Sequence, residues 1–148
     1  MNFSGEFNNS IDPKGRVSIP AKFRDVLKDV YGDEQLVVAK NSEGGLTAYP
    51  ASQWHKNVEN LRNNVSGGAA RATLRLVVAS AVECTFDKQG RVQVPPSLRS
   101  YAALEKEIVI LGVFDKIEIY SHIQHSAVMN SARQVLRENP DFLDEHGF

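Results

Sequence analysis

One ten-residue passage occurs twice in this sequence, and the duplication limits what the chain can fold into. Ile11-Asp12-Pro13-Lys14-Gly15-Arg16-Val17-Ser18-Ile19-Pro20 returns as Phe86-Asp87-Lys88-Gln89-Gly90-Arg91-Val92-Gln93-Val94-Pro95. Asp12/Asp87, Gly15/Gly90, Arg16/Arg91, Val17/Val92 and Pro20/Pro95 all recur at an offset of 75 positions. Five matches in register mark a tandem repeat. Period-two alternation flanks each copy, through Phe7, Asn9, Ile11, Val17 and Ile19 in the first and Val82, Cys84, Phe86, Val92 and Val94 in the second. That period signals strands. Between them the Asp can bond the turn backbone, Pro13 presets φ, and Gly15 and Gly90 supply a conformation other residues resist. Pro20 and Pro95 stop the strands and suit the first turn of a helix. Each unit predicts a hairpin followed by a helix, with Arg16 and Arg91 just past the bend.

The remaining pattern is consistent with two related halves. Residues 3–11 read as a strand and 17–20 as its returning partner. Phe23, Val26, Leu27 and Val30 follow the spacing of a short amphipathic helix that Gly32 and Asp33 end. Strands at 35–39 and 46–49 flank a polar, glycine-containing loop, with counterparts at 108–111 and 116–120. Pro50 opens a helix with Trp54, Val58, Leu61 and Val65 on one face, and its equivalent runs from 121 towards 139. Residues 69–81 place Ala70, Leu74, Val77, Val78 and Ala81 on one face, which predicts a single connector helix. The organisation expected is a first repeat at 5–51, a helical connector at 52–79, a second repeat at 80–123, and a C-terminal helix with an acidic tail at 124–148. Four short strands per half leave sheet edges and an apolar face open to water. The halves should therefore close each other into one pseudo-twofold barrel, mainly β with peripheral α-helices.

Composition narrows the function. The 148 residues carry a net charge of -1, so any nucleic-acid surface must be local. Glu138, Asp141, Asp144 and Glu145 give the last eleven residues -4, which leaves +3 on residues 1–137. Lys14, Arg16, Lys22 and Arg24 cluster at the first motif against one acid, Asp12. The mainly apolar stretch 76–82 is far too short to span a bilayer. No signal peptide opens the chain, and the single cysteine, Cys84, fits a reducing cytoplasm and reads as a small buried hydrophobe. Phosphate-loop, dinucleotide and nucleophile-elbow motifs are absent. His122 and His125 lie three apart on a helix without a third ligand nearby and read as surface residues. No metal or other cofactor is indicated. An enzyme reading rests on Asp12 and Asp87 at equivalent positions, as in hydrolases whose paired aspartates share a proton. The surrounding Lys14, Arg16, Lys88 and Arg91 would instead keep both carboxylates ionised.

Two readings of the motif follow from its residues. Asp and Arg, four apart across a turn, can pair and stiffen it. Alternatively the Asp orders the turn while Lys and Arg project towards an anion. Both copies, Asp12 to Pro20 and Asp87 to Pro95, resemble the D-x-x-x-R signature of the MraZ family, as do Met1-Asn2-Phe3-Ser4-Gly5, Leu46-Thr47-Ala48-Tyr49-Pro50, Ala81-Val82-Glu83-Cys84 and Phe114-Asp115-Lys116-Ile117-Glu118-Ile119-Tyr120. The resemblance covers nearly the whole chain. It implies an AbrB-like double-split β-barrel with both halves on one chain. It also implies a nucleoid-associated, cytoplasmic regulator of the bacterial division and cell-wall gene cluster, forming ring-shaped homo-oligomers on short G-rich direct repeats in promoter DNA. No membrane and no small-molecule substrate enter this reading. By position, Lys14 and Arg16 are the first DNA-contact candidates, followed by Lys22, Arg24, Lys88 and Arg91, with Asp12, Gly15, Asp87 and Gly90 shaping the turns. A rival binding-module reading is an AbrB-fold, antitoxin-like protein that grips a protein partner with its tail.

Overall fold

Each half supplies four strands, and every one of the eight pairs with a strand of the other half. The computed structural model describes residues 1–148. Its first half contributes β1 (Phe3–Ser10), β2 (Arg16–Ser18), β3 (Gln35–Lys40) and β4 (Leu46–Pro50). The second contributes β5 (Val82–Thr85), β6 (Arg91–Gln93), β7 (Glu107–Phe114) and β8 (Ile117–Ser121). Six of them form an antiparallel sheet in the order β1-β7-β8-β4-β3-β5, and the other two form the ribbon β2-β6. Exchanging the halves leaves both orders unchanged, which is the pseudo-twofold symmetry that the repeat predicts. The barrel is split into these two sheets. Both line one core of 21 buried residues, from Phe3, Val17 and Leu36 in the first half to Val92, Leu98 and Ile110 in the second.

The expected hairpin is corrected by this pairing. The only strand pairing between the arms of the first motif is an isolated bridge between Ile11 and Val17. Instead β1 runs along β7 from Phe3 opposite Phe114 to Ser10 opposite Glu107. β2 turns away to meet β6, with Val17 directly opposite Val92. Reciprocal bonds lock the ribbon, from the Val94 N–H to the Gly15 carbonyl (2.8 Å) and from the Ile19 N–H to the Gly90 carbonyl (3.2 Å). The physical reason is burial. Val17 and Val92 are 0% and 1% exposed, and each reaches the core only by crossing to the second sheet.

Helices follow where the prolines stop the strands. α1 (Ala21–Val26) starts after Pro20 and continues as a wider π turn over Leu27–Tyr31, ended by Gly32 in the left-handed region. That turn shifts the expected apolar face. Phe23, Val26 and Leu27 are buried, whereas Val30 is exposed and Tyr31 stacks on Phe3 in its place, ring centroids 5.8 Å apart. α2 (Ala51–Asn64) lays Trp54 over Val37 and Ala39. The connector is not one helix to residue 81, because α3 (Gly68–Leu76) gives way to a 3-10 turn at Val78–Ser80. Ser80 Oγ donates to the Val77 carbonyl (2.7 Å) and accepts the Lys40 N–H (3.0 Å), which pins the tightened turn to β3.

α4 (Pro96–Ala102) mirrors α1 after Pro95, and α5 (His122–Glu138) is capped by Ser121 Oγ, which accepts the Gln124 N–H (3.1 Å). α6 (Phe142–Glu145) lies within the acidic tail. His125 is not a free surface residue as expected, since its Nε2 lies against the Glu6 carboxylate on β1. Cys84 is buried, and burial pushes its thiol up to about 11, so it packs as a small hydrophobe.

Candidate nucleic-acid interface

The two motif turns are built alike, bond for bond. Asp12 Oδ1 accepts the N–H of Lys14 (3.0 Å) and of Arg16 (2.8 Å), while Oδ2 takes Arg16 Nε at 2.5 Å. Asp87 Oδ1 accepts the N–H of Gln89 (2.9 Å) and of Arg91 (3.0 Å), while Oδ2 takes Arg91 Nε at 2.8 Å. Gly15 and Gly90 close the turns at φ of 81° and 74°, a region that L side chains rarely adopt. The stiffening reading thus describes the geometry. It does not exhaust the arginines, because each uses Nε on its Asp and leaves Nη1 and Nη2 without a partner in the chain. Two parallel N–H donors on a fixed guanidinium can bond O6 and N7 of a guanine or two oxygens of a phosphate. Stiffening the turn and meeting an anion are therefore compatible.

Where these donors point follows from the ribbon. Along β2 and β6 the buried residues are Val17 and Val92, so Arg16, Ser18, Arg91 and Gln93 occupy the other face. Arg16 sits opposite Gln93 and Arg91 opposite Ser18, which places the two arginines diagonally on one surface. Gln93 Nε2 donates to the Lys14 carbonyl (2.8 Å) and ties one repeat's turn to the other's strand. Lys14 and Lys88 are exposed at the tips. Lys22, on α1, reaches Ser4 Oγ at 3.3 Å. Arg24 donates from Nε to the Ile19 carbonyl (3.2 Å), and its guanidinium lies over Gly90 of the other repeat.

Arg99 escaped the sequence reading. It donates from Nη1 to the Pro13 carbonyl (3.5 Å) and covers Gly15. The signal was available, because Arg99 is Arg24 advanced by the same 75 positions. The basic residues are otherwise unevenly shared, since Ser97 stands where Lys22 has its equivalent and Gln89 where Lys14 does.

Bonding also fixes the charge state of the aspartates. Asp12 is held below its ordinary value of 3.8 first by the Arg16 N–H, with burial opposing and the Arg16 side chain adding to the lowering. Asp87 is lowered first by the Arg91 N–H, with the same opposition and the same side-chain contribution. A carboxylate pair sharing a proton would instead show one member raised. A group depressed in the folded state contributes stability that is present above its unfolded value and is lost as pH falls through its folded value. Carboxyl NMR titration should therefore give both midpoints below 3.8, with the turns loosening only under more acid conditions. A midpoint above that value for either aspartate would revive the hydrolase reading. No group of three or more His, Cys, Asp or Glu side chains is placed to hold a metal, and no helix is long and apolar enough to cross a membrane.

With this geometry described, similarity to known proteins is decisive about ancestry. The family model described as "MraZ protein, putative antitoxin-like" matches twice, over residues 2–76 and 77–141, one match per repeat. This chain belongs to the MraZ family. It is 47% identical over 151 aligned positions, covering 100% of both chains, to a protein named transcriptional regulator MraZ in Syntrophotalea carbinolica. Proteins of the same name in Geobacter sulfurreducens (39% identity; 85% of this chain and 87% of the relative) and Halothermothrix orenii (36%; 98% and 99%) are similar along most of their lengths. The similarity to relatives named as regulators of transcription thus spans both repeats.

Proposed function

We propose that this MraZ protein is a transcriptional regulator that binds promoter DNA with the outer face of the β2-β6 ribbon, acting on the bacterial division and cell-wall gene cluster from a nucleoid-associated, cytoplasmic pool. The observation that carries this reading is the pair of arginines on one face of a two-stranded antiparallel ribbon, each clamped by an aspartate at Nε with its outer nitrogens unbonded. A ribbon of this kind fits the major groove, and Arg to guanine is its commonest specific contact. Short G-rich direct repeats suit such a reader. Lys14, Lys88 and Lys22 stand where they can neutralise flanking phosphates.

Self-association into a ring belongs to the same proposal. Two unlike surfaces support it. Between α2 and α3 lies an apolar groove of about 260 Å³ lined by Trp54, Val58, Leu61, Val65 and Val77, on a segment that carries Lys56, Arg62, Arg71 and Arg75 against one acid, Glu59. The acidic tail exposes Phe142, Leu143 and Phe148. An acidic, apolar segment of one copy complements an apolar groove on a net-basic segment of the next, and contacts between unlike surfaces run head to tail.

The test separates the two kinds of contact. Arg16→Ala should cost ~1 to 3 kcal/mol on DNA from upstream of the protein's own gene and relax its sequence preference. Lys14→Ala should weaken promoter and scrambled duplexes alike and lower the salt slope by about one. Binding titrations of both variants across a salt series decide this. Unchanged promoter affinity in Arg16→Ala would remove the guanine-reading role. An antitoxin-like protein would show no salt-dependent DNA binding at all.

A further inference from the structure

Arg24, a DNA-contact candidate by position, and Arg99, its counterpart in the second repeat, have surroundings that a direct DNA contact does not explain. Neither meets a carboxylate, because the only arginine ion pairs in the chain are those of Arg16 and Arg91. Each lies on the helix that follows its own motif, yet each covers the glycine of the opposite motif. A Cβ on Gly15 would stand 2.6 Å from the Val94 carbonyl oxygen, 2.7 Å from Arg99 Nε and 3.0 Å from its Cζ, so the ribbon backbone and the guanidinium close on it together. On Gly90 it would stand 2.7 Å from Arg24 Cζ and 2.8 Å from its Nε and Nη1. The planar guanidinium thus fills the space that only a glycine leaves open. Gly15 and Gly90 are consequently required twice, once for the positive φ and once for this approach.

For Arg99 the crossing is also a hydrogen bond, whereas the bond of Arg24 stays within its own repeat. Arg99 Nη1 reaches the Pro13 carbonyl inside the first turn, while its Nε is buried with no partner. A buried donor without a partner is unfavourable, so local stability alone would favour an apolar residue there. Arg24 is fixed at Nε by the Ile19 carbonyl, one residue beyond its own strand, and this aims its remaining face at Gly90. Gln93 and the reciprocal backbone bonds of Gly15 and Gly90 already hold strand to strand. Arg99 adds a bond to the turn that carries Lys14 and Arg16, and Arg24 adds close packing over the glycine of the turn that carries Lys88 and Arg91.

We propose that Arg24 and Arg99 are crossed positioning residues, each fixing the binding turn of the opposite repeat, so that Arg99 governs the Lys14–Arg16 turn and Arg24 governs the Lys88–Arg91 turn. The structural half of this statement stands without DNA. Its consequence for binding rests on the function proposed above. The crossing makes the two motifs one mechanical unit, and damage to one repeat's helix appears in the other repeat's turn.

Amide hydrogen exchange on the full chain tests it directly. Arg99→Met keeps the length and apolar stem while removing the guanidinium. It should raise exchange at the Gly15 and Arg16 amides about tenfold or more and leave Gly90 and Arg91 within about twofold. Arg24→Met should show the opposite pattern. Arg99→Lys keeps the charge but lacks the planar donor face, so it should behave like Arg99→Met. On duplex DNA from upstream of the gene, the loss in Arg99→Met should be non-additive with Arg16→Ala and additive with Arg91→Ala.

Equal acceleration in both turns, acceleration in the same repeat's turn, or full rescue by Arg99→Lys would overturn the proposal. So would unchanged exchange together with a salt slope reduced by about one, because that marks a direct phosphate contact. Should the unsubstituted protein fail to bind the duplex, the DNA-binding function falls, and the exchange pattern still decides the crossed hold.

Discussion

Cutting the chain at Gly67 is expected to give two fragments that are unfolded or aggregated when alone. Six strand ladders make up the two sheets, and four of them, β1-β7, β3-β5, β4-β8 and β2-β6, join one half to the other. Each isolated half would keep a single two-stranded ladder, β3-β4 or β7-β8, and two strands are at best marginally stable in water. The core divides as evenly. Of its 21 residues, 11 precede Gly67 and 10 follow it, and they pack on each other. Uncovering one large apolar side chain costs about 1.5 to 3 kcal/mol, against a total stability of about 5 to 15 for a whole domain. Loss of a few such contacts is therefore enough. Gly67 itself sits in open space between α2 and α3, so the cut disturbs little else. Mixing the fragments should restore circular dichroism and a cooperative melt. A monomeric fragment that unfolds cooperatively by itself would show that the halves do not depend on each other.

That mutual dependence was legible because the repeat is covalent information. Asp, Gly, Arg, Val and Pro at one offset specify two equal units, and unit size specifies that neither can bury its own face. The partner of each strand was not legible. Alternation around Ile11 and Val17 is the same whether the strand returns beside β1 or crosses to β6, and the choice is made by long-range burial of Val17 against Val92. Local geometry near the crossing was hidden for a similar reason. The π turn at Leu27–Tyr31 brings Tyr31 onto Phe3 and leaves Val30 in water, and nothing in a helical period announces an extra residue.

Within the site, the aspartate and arginine of each motif were readable as a turn with a charged edge. Their simultaneous use, Nε inward and Nη outward, required coordinates. Arg99 was readable and overlooked, since attention to charge clusters favours the crowded first motif over a lone arginine in Pro96-Ser97-Leu98-Arg99. His125 illustrates the converse, because its contact with Glu6 joins positions 119 residues apart and no local pattern encodes it.

Tandem promoter boxes should bind this protein ~100-fold or more tighter than a single box. One ribbon offers two arginines on its outer face, and each bidentate contact discriminates by roughly 1 to 3 kcal/mol. Selecting a promoter over bulk DNA takes about 4 to 10 kcal/mol, and the roughly 2 to 6 kcal/mol of two contacts covers only the lower part of that range. In the proposed function, several protomers acting together supply the rest. If the acidic apolar tail of one protomer docks on the apolar groove of the next, the joined surfaces are unlike, and such a head-to-tail contact would close into a ring when the rotation permits. Ribbons carried in one orientation match boxes repeated in one direction, spaced by about one helical turn of ~10 bp or a multiple of it. Once the first box is occupied, each later contact is intramolecular, which raises the effective concentration. Inserting half a turn between boxes should turn the second box away from its ribbon and remove most of the gain. Light scattering should find a discrete oligomer that Phe142→Asp or Val65→Asp, both at exposed positions, reduces to smaller species. A monomer that binds one box as tightly as several, with no response to half-turn insertions, would show that a single ribbon suffices.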